Sequence, residues 1–278
     1  MKSQILIRSS FISVLLISFF IGASGQETTT NAGYVPEVGQ QGKDVVWVPT
    51  PNELVNAMLT MAKVTPEDFL IDLGSGDGRT VIAAAKLGTR AVGIEYNPDM
   101  VALSKRNAEQ EGVSGMTQFI EADLYEYDFS KATVITMFLL PEINLKLRPR
   151  LLDLKPGTRI VSNTFTMGEW EADYEVNTDE NWNSWNHALM WIIPAKVEGT
   201  WKIGNAELSF KQQYQLVFGN MITGQGVTTI TDGRLSGNEI TFKIGNNLYT
   251  GRVEGDRMIG TVTNETTKSD WIATRTGN

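Results

Sequence analysis

The segment of this sequence best suited to chemistry is a glycine loop, "DLGSGDG" at residues 72–78, with its glycines on alternate positions. Two acids, Asp72 and Asp77, stand near its ends. Glycines let backbone N–H groups approach a ligand closely, and the N-terminus of a following helix adds partial positive charge. The loop therefore favours ligand binding over a simple tight turn. The residues predicted to bind are Asp72, Gly74, Ser75, Gly76 and Gly78.

Two common ligands of glycine loops fit this one poorly. A phosphate-binding P-loop needs a lysine directly after its last glycine, and no lysine follows Gly78. A dinucleotide fingerprint needs the spacing Gly-x-Gly-x-x-Gly, but Gly78 comes one position early, and Asp77 would put a carboxylate against the pyrophosphate. A ligand that carries an amine and a sugar suits the loop better than one that carries phosphates.

Two acids further along the chain fit the same ligand. Glu95 ends the next predicted strand, at about the distance from Asp72 at which an acid in such folds accepts hydrogen bonds from ribose hydroxyls. Asp123 follows the third strand, where the edge of a base would lie. No metal site is predicted, because the chain has no cysteine and its one histidine, His187, lies beside apolar residues.

The elements that position these residues alternate between strand and helix. Thr50 is predicted to cap a first helix, with Pro51 at its first position and Glu53 closing a capping box. Such alternation predicts a parallel sheet covered on both faces, with the glycine loop at the carboxyl edge of its first strand. The predicted strands are 69–72, 90–95, 117–122, 134–139, 158–164, 174–177 and 188–193, and the later helices are 79–87, 98–111 and about 141–154.

A change of pattern after Pro194 marks a second domain. Seven short alternating segments follow, separated by Gly, Asn or Asp, and "AELSFKQQYQLVFG" is read as one of them. The fold class is therefore α/β: a Rossmann-like, mostly parallel sheet domain at 45–194, then a small antiparallel, barrel-like all-β domain at 195–278. This second domain loosely resembles lipocalin-like or avidin-like barrels, which hold small ligands in their mouths. A tryptophan-rich window at 170–201 favours core packing, with the lining of a substrate groove as the alternative.

The first 44 residues are predicted to lie outside both domains. Lys2 and Arg8 precede "FISVLLISFFIGASG", which is typical of a secretory signal peptide at residues 1–25. Its apolar stretch is short for a membrane span, so we expect export to the periplasm or medium, with no stable span after cleavage. Residues 26–44 are polar and predicted to form a flexible arm. The net charge of −8 makes nucleic acid an unfavourable partner, and the sequence leaves the oligomeric state open.

The ordered motifs resemble the class I S-adenosylmethionine-dependent methyltransferases. "VWVPTPNELVNAML", "DLGSGDGRTVIAAAKLG", "AVGIEYNP" and "VITMFLLPEINLKLRPRLLDLKPGTRIVSNTF" look like a small branch that includes protein-lysine methyltransferases of archaea and mitochondria. The resemblance implies S-adenosylmethionine as cofactor, with the glycine loop facing its methionine part. It also implies that Glu95 holds the ribose, that Asp123 contacts the adenine amine, and that the segment containing Pro49 and Thr50 closes over the cofactor.

Methyl transfer to an amine also requires the amine to lose a proton. Glu142, in "LLPEIN" at the carboxyl end of the fourth strand, is the candidate catalytic residue, because a nearby carboxylate can assist deprotonation. The alternative is that an acid in the first turn of a helix is favoured by the helix dipole alone.

The sequence thus predicts an exported methyltransferase that acts on an amine of a protein or a small molecule. The alternative is a ligand-binding protein of the cell envelope, in which the barrel binds the ligand and the α/β domain is not catalytic.

Overall fold

A seven-stranded sheet forms the first domain in the computed structural model, which describes residues 33–179 and 185–277. The predicted signal peptide and the predicted arm up to residue 32 lie outside the described residues. The order of the strands is β3-β2-β1-β4-β5-β7-β6, with β7 antiparallel to β5 and to β6 and the other neighbours parallel. The elements are α1 Asn52–Met61, β1 Phe69–Leu73, α2 Arg79–Lys86, β2 Arg90–Glu95, α3 Pro98–Gln110, β3 Thr117–Glu121, β4 Val134–Met137, α4 Pro141–Leu151, β5 Arg159–Asn163, β6 Tyr174–Asn177 and β7 His187–Ile192.

The centre of this sheet is apolar on both faces. In β1, Leu70 belongs to one buried cluster and its neighbour Ile71 to the other, because successive side chains of a strand point to opposite faces. All four residues of β4 are buried as well. The predicted mostly parallel sheet, covered on both sides, is confirmed. The strand order reverses between β1 and β4, and ligands of open α/β sheets bind at such a point.

The start of α1 differs from the predicted capping box. Pro51 is the N-cap, with an extended backbone (ψ 140°), and no side chain caps the helix. Thr50 is held elsewhere: its hydroxyl accepts from Asn163 Nδ2 at 3.2 Å, and its carbonyl accepts from Arg79 Nη1 at 2.9 Å. The prediction was wrong because the end of β5 and the start of α2 hold the Thr50 hydroxyl and carbonyl.

The second domain is a closed barrel of eight antiparallel strands, which confirms its predicted class. The sequence showed seven segments because "AELSFKQQYQLVFG" contains two strands, β9 and β10. Tyr214 makes the turn between them with φ 53°, a left-handed conformation that a residue other than glycine seldom adopts. The strands are β8 Gly199–Ile203, β9 Ala206–Gln213, β10 Leu216–Thr223, β11 Gly226–Ser236, β12 Glu239–Ile244, β13 Asn247–Glu254, β14 Arg257–Thr263 and β15 Lys268–Gly277.

The interior of the barrel is filled by large apolar side chains. Trp201, Phe210, Phe242 and Met258 are all buried, and the ring of Phe242 packs edge-on against that of Phe210 at 5.5 Å. Alternate residues of each strand point inward, and an eight-stranded barrel is just wide enough for side chains to fill it. The barrel therefore has a packed core of its own.

Aromatic and charged contacts join the barrel to the sheet domain, and from Tyr34 onward the chain forms one compact unit. The ring of Tyr214 stacks on buried Trp170 at 5.5 Å, and its hydroxyl donates to Glu169 Oε1 at 2.7 Å. Arg234 Nη2 donates to Asp173 Oδ1 at 2.6 Å, and the side chain of Asp173 is only 4% exposed. None of the helices in the described parts of the chain is long and apolar enough to cross a membrane.

Two arginine–carboxylate pairs of the barrel, both 2.6 Å long, allow a matched test of this contact. Arg234→Met should lower the free energy of unfolding by about 1–3 kcal/mol, because it leaves the nearly buried carboxylate of Asp173 without its cation. Arg252→Met should cost less than about 1 kcal/mol, because its partner Glu239 is 59% exposed. Urea denaturation measures both, and equal losses would contradict the buried contact.

Candidate functional site

A cavity of about 410 Å³ lies at the carboxyl edge of the sheet. Its volume is within the usual range for small-molecule sites. Of the residues predicted to bind a cofactor, Gly78 is not among those that line the cavity; it serves as the N-cap of α2. The predicted residues that do line the cavity are Pro49, Thr50, Asp72, Gly74, Ser75, Gly76, Glu95 and Asp123.

The conformation of the glycine loop requires residues without a side chain at Gly76 and Gly78. Both have left-handed backbones, with φ 53° and 82°. A Cβ at Gly76 would lie 2.6 Å from Trp47 Nε1, and one at Gly78 would lie 2.7 Å from Phe119 Cε1. Ser104 Oγ of α3 donates to the Gly76 carbonyl at 2.8 Å, so the loop is held by the helix beside it.

Asp72, at the end of β1, is buried next to the loop. Thr136 Oγ1 donates to its Oδ1 at 2.6 Å. Burial, together with the charges of Asp77 and Glu95, raises the pKa of Asp72 to about 7, and the hydrogen bond from Thr136 opposes this shift. A cationic ligand group beside this carboxylate would favour its ionised form.

The carboxylate of Glu95 accepts hydrogen bonds from two backbone N–H groups in the wall of the cavity. Its Oε2 accepts from the Gly76 N–H at 3.0 Å, and its Oε1 accepts from the Asn97 N–H at 2.9 Å. Each carboxylate oxygen has a second lone pair, so the same group can also accept from ligand hydroxyls. Glu95 therefore both shapes the loop and offers acceptors to a sugar.

Lys43, which sequence reasoning missed as a site residue, is bound to Asp123. Its Nζ donates to Asp123 Oδ2 at 2.5 Å and lies 4.6 Å from the centre of the Tyr96 ring. The hydrogen bond from Lys43, with a second from the Tyr125 N–H, holds the pKa of the Asp123 carboxyl below its usual range. Lys43 belongs to the segment predicted to be a flexible arm, and no pattern in that segment indicated this long-range partner.

The stretch around Lys43 forms an N-terminal strap, residues 39–50, along the cavity. Gly39 N donates to the Trp47 carbonyl at 2.8 Å, and Trp47 N donates to the Gln40 carbonyl at 2.9 Å. The Trp47 indole lies against the glycine loop, as its approach to Gly76 demonstrates. The strap thus places an aromatic ring and a cation on the ligand side of the loop.

The half-buried rings of Phe138, Phe165 and Trp185 line the cavity and are called the aromatic wall here. In the sequence, Phe138 follows β4, Phe165 follows β5 and Trp185 precedes β7. Their centres lie 5.5–6.0 Å apart. Trp185 lies in the window that the sequence left open between core and substrate groove, whereas Trp170, Trp191 and Trp201 are buried in the cores and Trp182 lies outside the described residues. The missed signal is the position of Phe138 and Phe165 within two residues of the ends of two central strands.

Glu142, the candidate catalytic residue, is exposed in the first turn of α4. It is not among the residues that line the cavity, although its neighbours Leu140 and Ile143 are. Its catalytic role stays a prediction.

The residues of the cavity fit S-adenosylmethionine. The bare loop leaves room that a Cβ would fill, and the buried carboxylate of Asp72 suits the amino group of the methionine part. Glu95 and Asp123 offer acceptors for the ribose hydroxyls and the adenine amine.

Comparisons with known proteins identify the same chemistry. A family model described as the ANTKMT methyltransferase domain matches residues 72–174. The protein-lysine N-methyltransferase of Saccharolobus islandicus is 40% identical over 159 residues, which cover 56% of this chain and 93% of that protein. The adenine nucleotide translocase lysine N-methyltransferase of Mus musculus is 35% identical over 117 residues, 41% of this chain and 51% of that protein.

A solved structure supports the fold and indicates the cofactor. An RNA methyltransferase from Salinibacter ruber, in complex with S-adenosyl-L-homocysteine, is 45% identical with a TM-score of 0.51, covering 54% of this chain and 96% of that chain. S-adenosylmethionine is therefore the cofactor. The chain belongs to the class I S-adenosylmethionine-dependent methyltransferases, in the family of the protein-lysine N-methyltransferases.

Proposed function

We propose that this enzyme transfers a methyl group to the side-chain amine of a lysine in another protein. The observation that carries the proposal is that one cavity is lined both by acids and bare backbone and by the aromatic wall with apolar side chains. The acids and bare backbone suit the cofactor, and the aromatic wall and apolar side chains suit a long aliphatic chain that ends in an amine. The names of the Saccharolobus and mouse relatives support a lysine acceptor.

RNA is the competing acceptor, because the Salinibacter relative is described as an RNA methyltransferase. The charge of this chain opposes it: 32 acidic residues outnumber 24 basic ones, and phosphate backbones are held mainly by lysine and arginine. The packed interior of the barrel gives no support to a ligand-binding role for that domain.

The residues of the site have separate tasks in this proposal. Bound S-adenosylmethionine supplies a methyl group on a positively charged sulfur, which is open to in-line attack by an amine. Asp72 holds the amino group of the cofactor, Glu95 its ribose, and Asp123 its adenine amine. Trp47 covers the glycine loop and keeps water from that side of the cavity. Leu139 and Ile143 add apolar surface for the aliphatic part of the acceptor lysine, whose ammonium releases a proton to solvent before the neutral amine attacks.

We further propose that the enzyme acts outside the cytoplasm. Support comes from the basic residues and apolar stretch of residues 1–25 alone. Mass spectrometry of the protein isolated from fractionated cells tests it: an N-terminus near residue 26, in the envelope or medium, is expected. A full-length chain in the cytoplasm would contradict export.

Methylation with purified components tests the acceptor. The enzyme, methyl-labelled S-adenosylmethionine and either envelope proteins or total RNA are incubated separately. Label is expected in protein, at lysines that gain the mass of whole methyl groups in tandem mass spectrometry. Label in RNA and none in protein would overturn the proposal.

Cofactor binding should depend on the acids of the cavity and not on acids nearby. Glu95→Gln removes the charge that the ribose hydroxyls meet and weakens the hold on the Gly76 N–H, so the Kd for S-adenosylhomocysteine should rise by about 10-fold or more. Asp99→Asn, an exposed acid in the first turn of α3, is the matched control and should leave the Kd within about twofold. Calorimetry measures both, and equal effects would contradict the role of Glu95.

The raised pKa of Asp72 predicts a pH dependence of cofactor binding. Below about pH 7 the carboxyl is protonated in the free enzyme, so binding a cationic amino group must release its proton. Affinity for S-adenosylhomocysteine should fall by up to about tenfold per pH unit below pH 7 and level off above it. In Asp72→Asn this slope should disappear, and an unchanged slope would show that another group controls it.

The raised pKa of Asp72 has opposite effects on cofactor binding and on folding stability, since low pH weakens binding and stabilises the fold. An acid whose folded pKa lies above its unfolded value stabilises the fold at low pH, and this stabilisation is lost as the pH rises from about 4 through 7. The ligand-free wild type should therefore lose stability relative to Asp72→Asn across that window. Thermal unfolding of the two proteins gives the difference, and a constant difference would contradict the raised pKa.

A further inference from the structure

The aromatic wall has the form of a cation-binding surface. Phe138 and Phe165 are stacked with centres 6.0 Å apart and planes at 24°, and Trp185 meets them at 5.5 Å and 5.7 Å with planes at 61° and 52°. All three rings line the same cavity. A lysine ammonium or its methylated form is attracted by ring faces within about 6 Å.

We propose that the aromatic wall is the subsite that receives the charged end of the acceptor lysine, before and after methylation. This deepens the proposed function and rests on it. The other cavity residues next to Phe138 are Leu139 and Leu140, so the rings attract the cation while the leucines offer apolar contact to the methylene and methyl groups. Such a surface accepts an ammonium that carries methyl groups, whereas a carboxylate partner would lose hydrogen bonds with each methyl added.

A strained turn directs Phe165 into the cavity. Thr164, at its centre, has φ 62°, which is an outlier for a β-branched residue. The turn is tight, because Phe165 N donates to the Asn163 carbonyl at 2.7 Å while Thr164 N donates to the His187 carbonyl at 2.8 Å. Strain of this kind persists only where the surroundings hold it, and it clusters at functional sites.

The surroundings hold this turn from both sides. On one side Thr164 Oγ1 donates to Asn163 Oδ1 at 2.8 Å, and buried Asn163 Nδ2 donates to Thr50 Oγ1 at 3.2 Å. On the other side, the Phe165 carbonyl accepts from Ser162 Oγ at 2.8 Å and from Asn144 Nδ2 at 3.2 Å. Asn163 and Thr164 are therefore positioning residues for the ring of Phe165.

The series of hydrogen bonds that begins at Thr164 continues to the cofactor side of the cavity. The Thr50 carbonyl accepts from Arg79 Nη1 at 2.9 Å, and Arg79 Nη2 is paired with Asp77 of the glycine loop at 2.6 Å. One hydrogen-bonded series thus fixes the glycine loop, the strap and the aromatic wall relative to one another. In-line transfer needs this kind of mutual alignment of acceptor and cofactor.

Binding of a lysine derivative by the full chain, saturated with S-adenosylhomocysteine, tests the subsite without turnover. The probes are Nα-acetyl-Nε-trimethyl-lysine amide and its neutral tert-butyl isostere, titrated by calorimetry. The wild type should bind the cationic probe about 5- to 30-fold more tightly than the isostere. Phe165→Leu and Phe138→Leu should each reduce that preference markedly, and Phe165→Tyr should retain it.

The control is Phe218→Leu, a half-exposed ring on the barrel surface, which should leave the preference unchanged. Equal binding of both probes by the wild type, or an undiminished preference in both leucine variants, overturns the subsite. If lysines of protein acceptors are methylated while the preference is absent, the subsite fails and the proposed function stands. If the preference is found and only RNA is methylated, the proposed function fails and the subsite stands as a site for cations.

The positioning role of Thr164 is tested by comparing Tm with the preference for the cationic probe. Thr164→Gly relieves the left-handed conformation and frees the turn, so its Tm should match or exceed that of the wild type while the preference for the cationic probe falls by about fivefold or more. Thr164→Ser keeps the hydroxyl that donates to Asn163 and should retain most of the preference. A glycine variant with full preference would overturn the positioning role, since a merely structural role moves Tm and not the preference.

Discussion

The carboxylate of Asp72 is buried at the end of the central strand β1, with Thr136 of the neighbouring strand donating to it. A buried carboxylate without a cation is unfavourable, and the raised pKa of Asp72 expresses that cost. In the contact proposed for Asp72, bound S-adenosylmethionine would bring its cationic amino group to this carboxylate and so offset that cost.

Glu95 and α3 make this arrangement possible. The loop turns through left-handed glycines, and Glu95 from β2 and Ser104 from α3 hold the N–H and the carbonyl of Gly76. The strap then closes the ligand side, with Lys43 on Asp123 and Trp47 against Gly76. In the contact proposed for Asp123, Lys43 and the adenine amine would share one carboxylate.

The sequence predicted the sheet domain well because its signals are local. Buried strands such as β4 are mostly apolar, and helix ends such as Gly88 and Gly112 are marked by glycine. The order of strands and helices in the sequence also predicted where the glycine loop and the acids at strand ends lie. Thr50 was misjudged because its partner Asn163 is far away in sequence, and Lys43 was missed for the same reason with Asp123. The turn at Tyr214 has no glycine or asparagine, so two strands were counted as one.

The segment from Phe165 to Asp173 connects the acceptor side of the cavity to the barrel. Phe165 belongs to the aromatic wall at one end, and Asp173 receives Arg234 of the barrel at the other. Between them, Trp170 is covered by the ring of Tyr214. The middle of the segment is held by the sheet domain, since Arg148 Nη1 donates to the Met167 carbonyl at 2.7 Å and Trp191 Nε1 donates to the Trp170 carbonyl at 2.8 Å. The barrel adds to this support at the far end of the segment that carries Phe165, because it supplies the ring that covers Trp170 and the cation that pairs with Asp173.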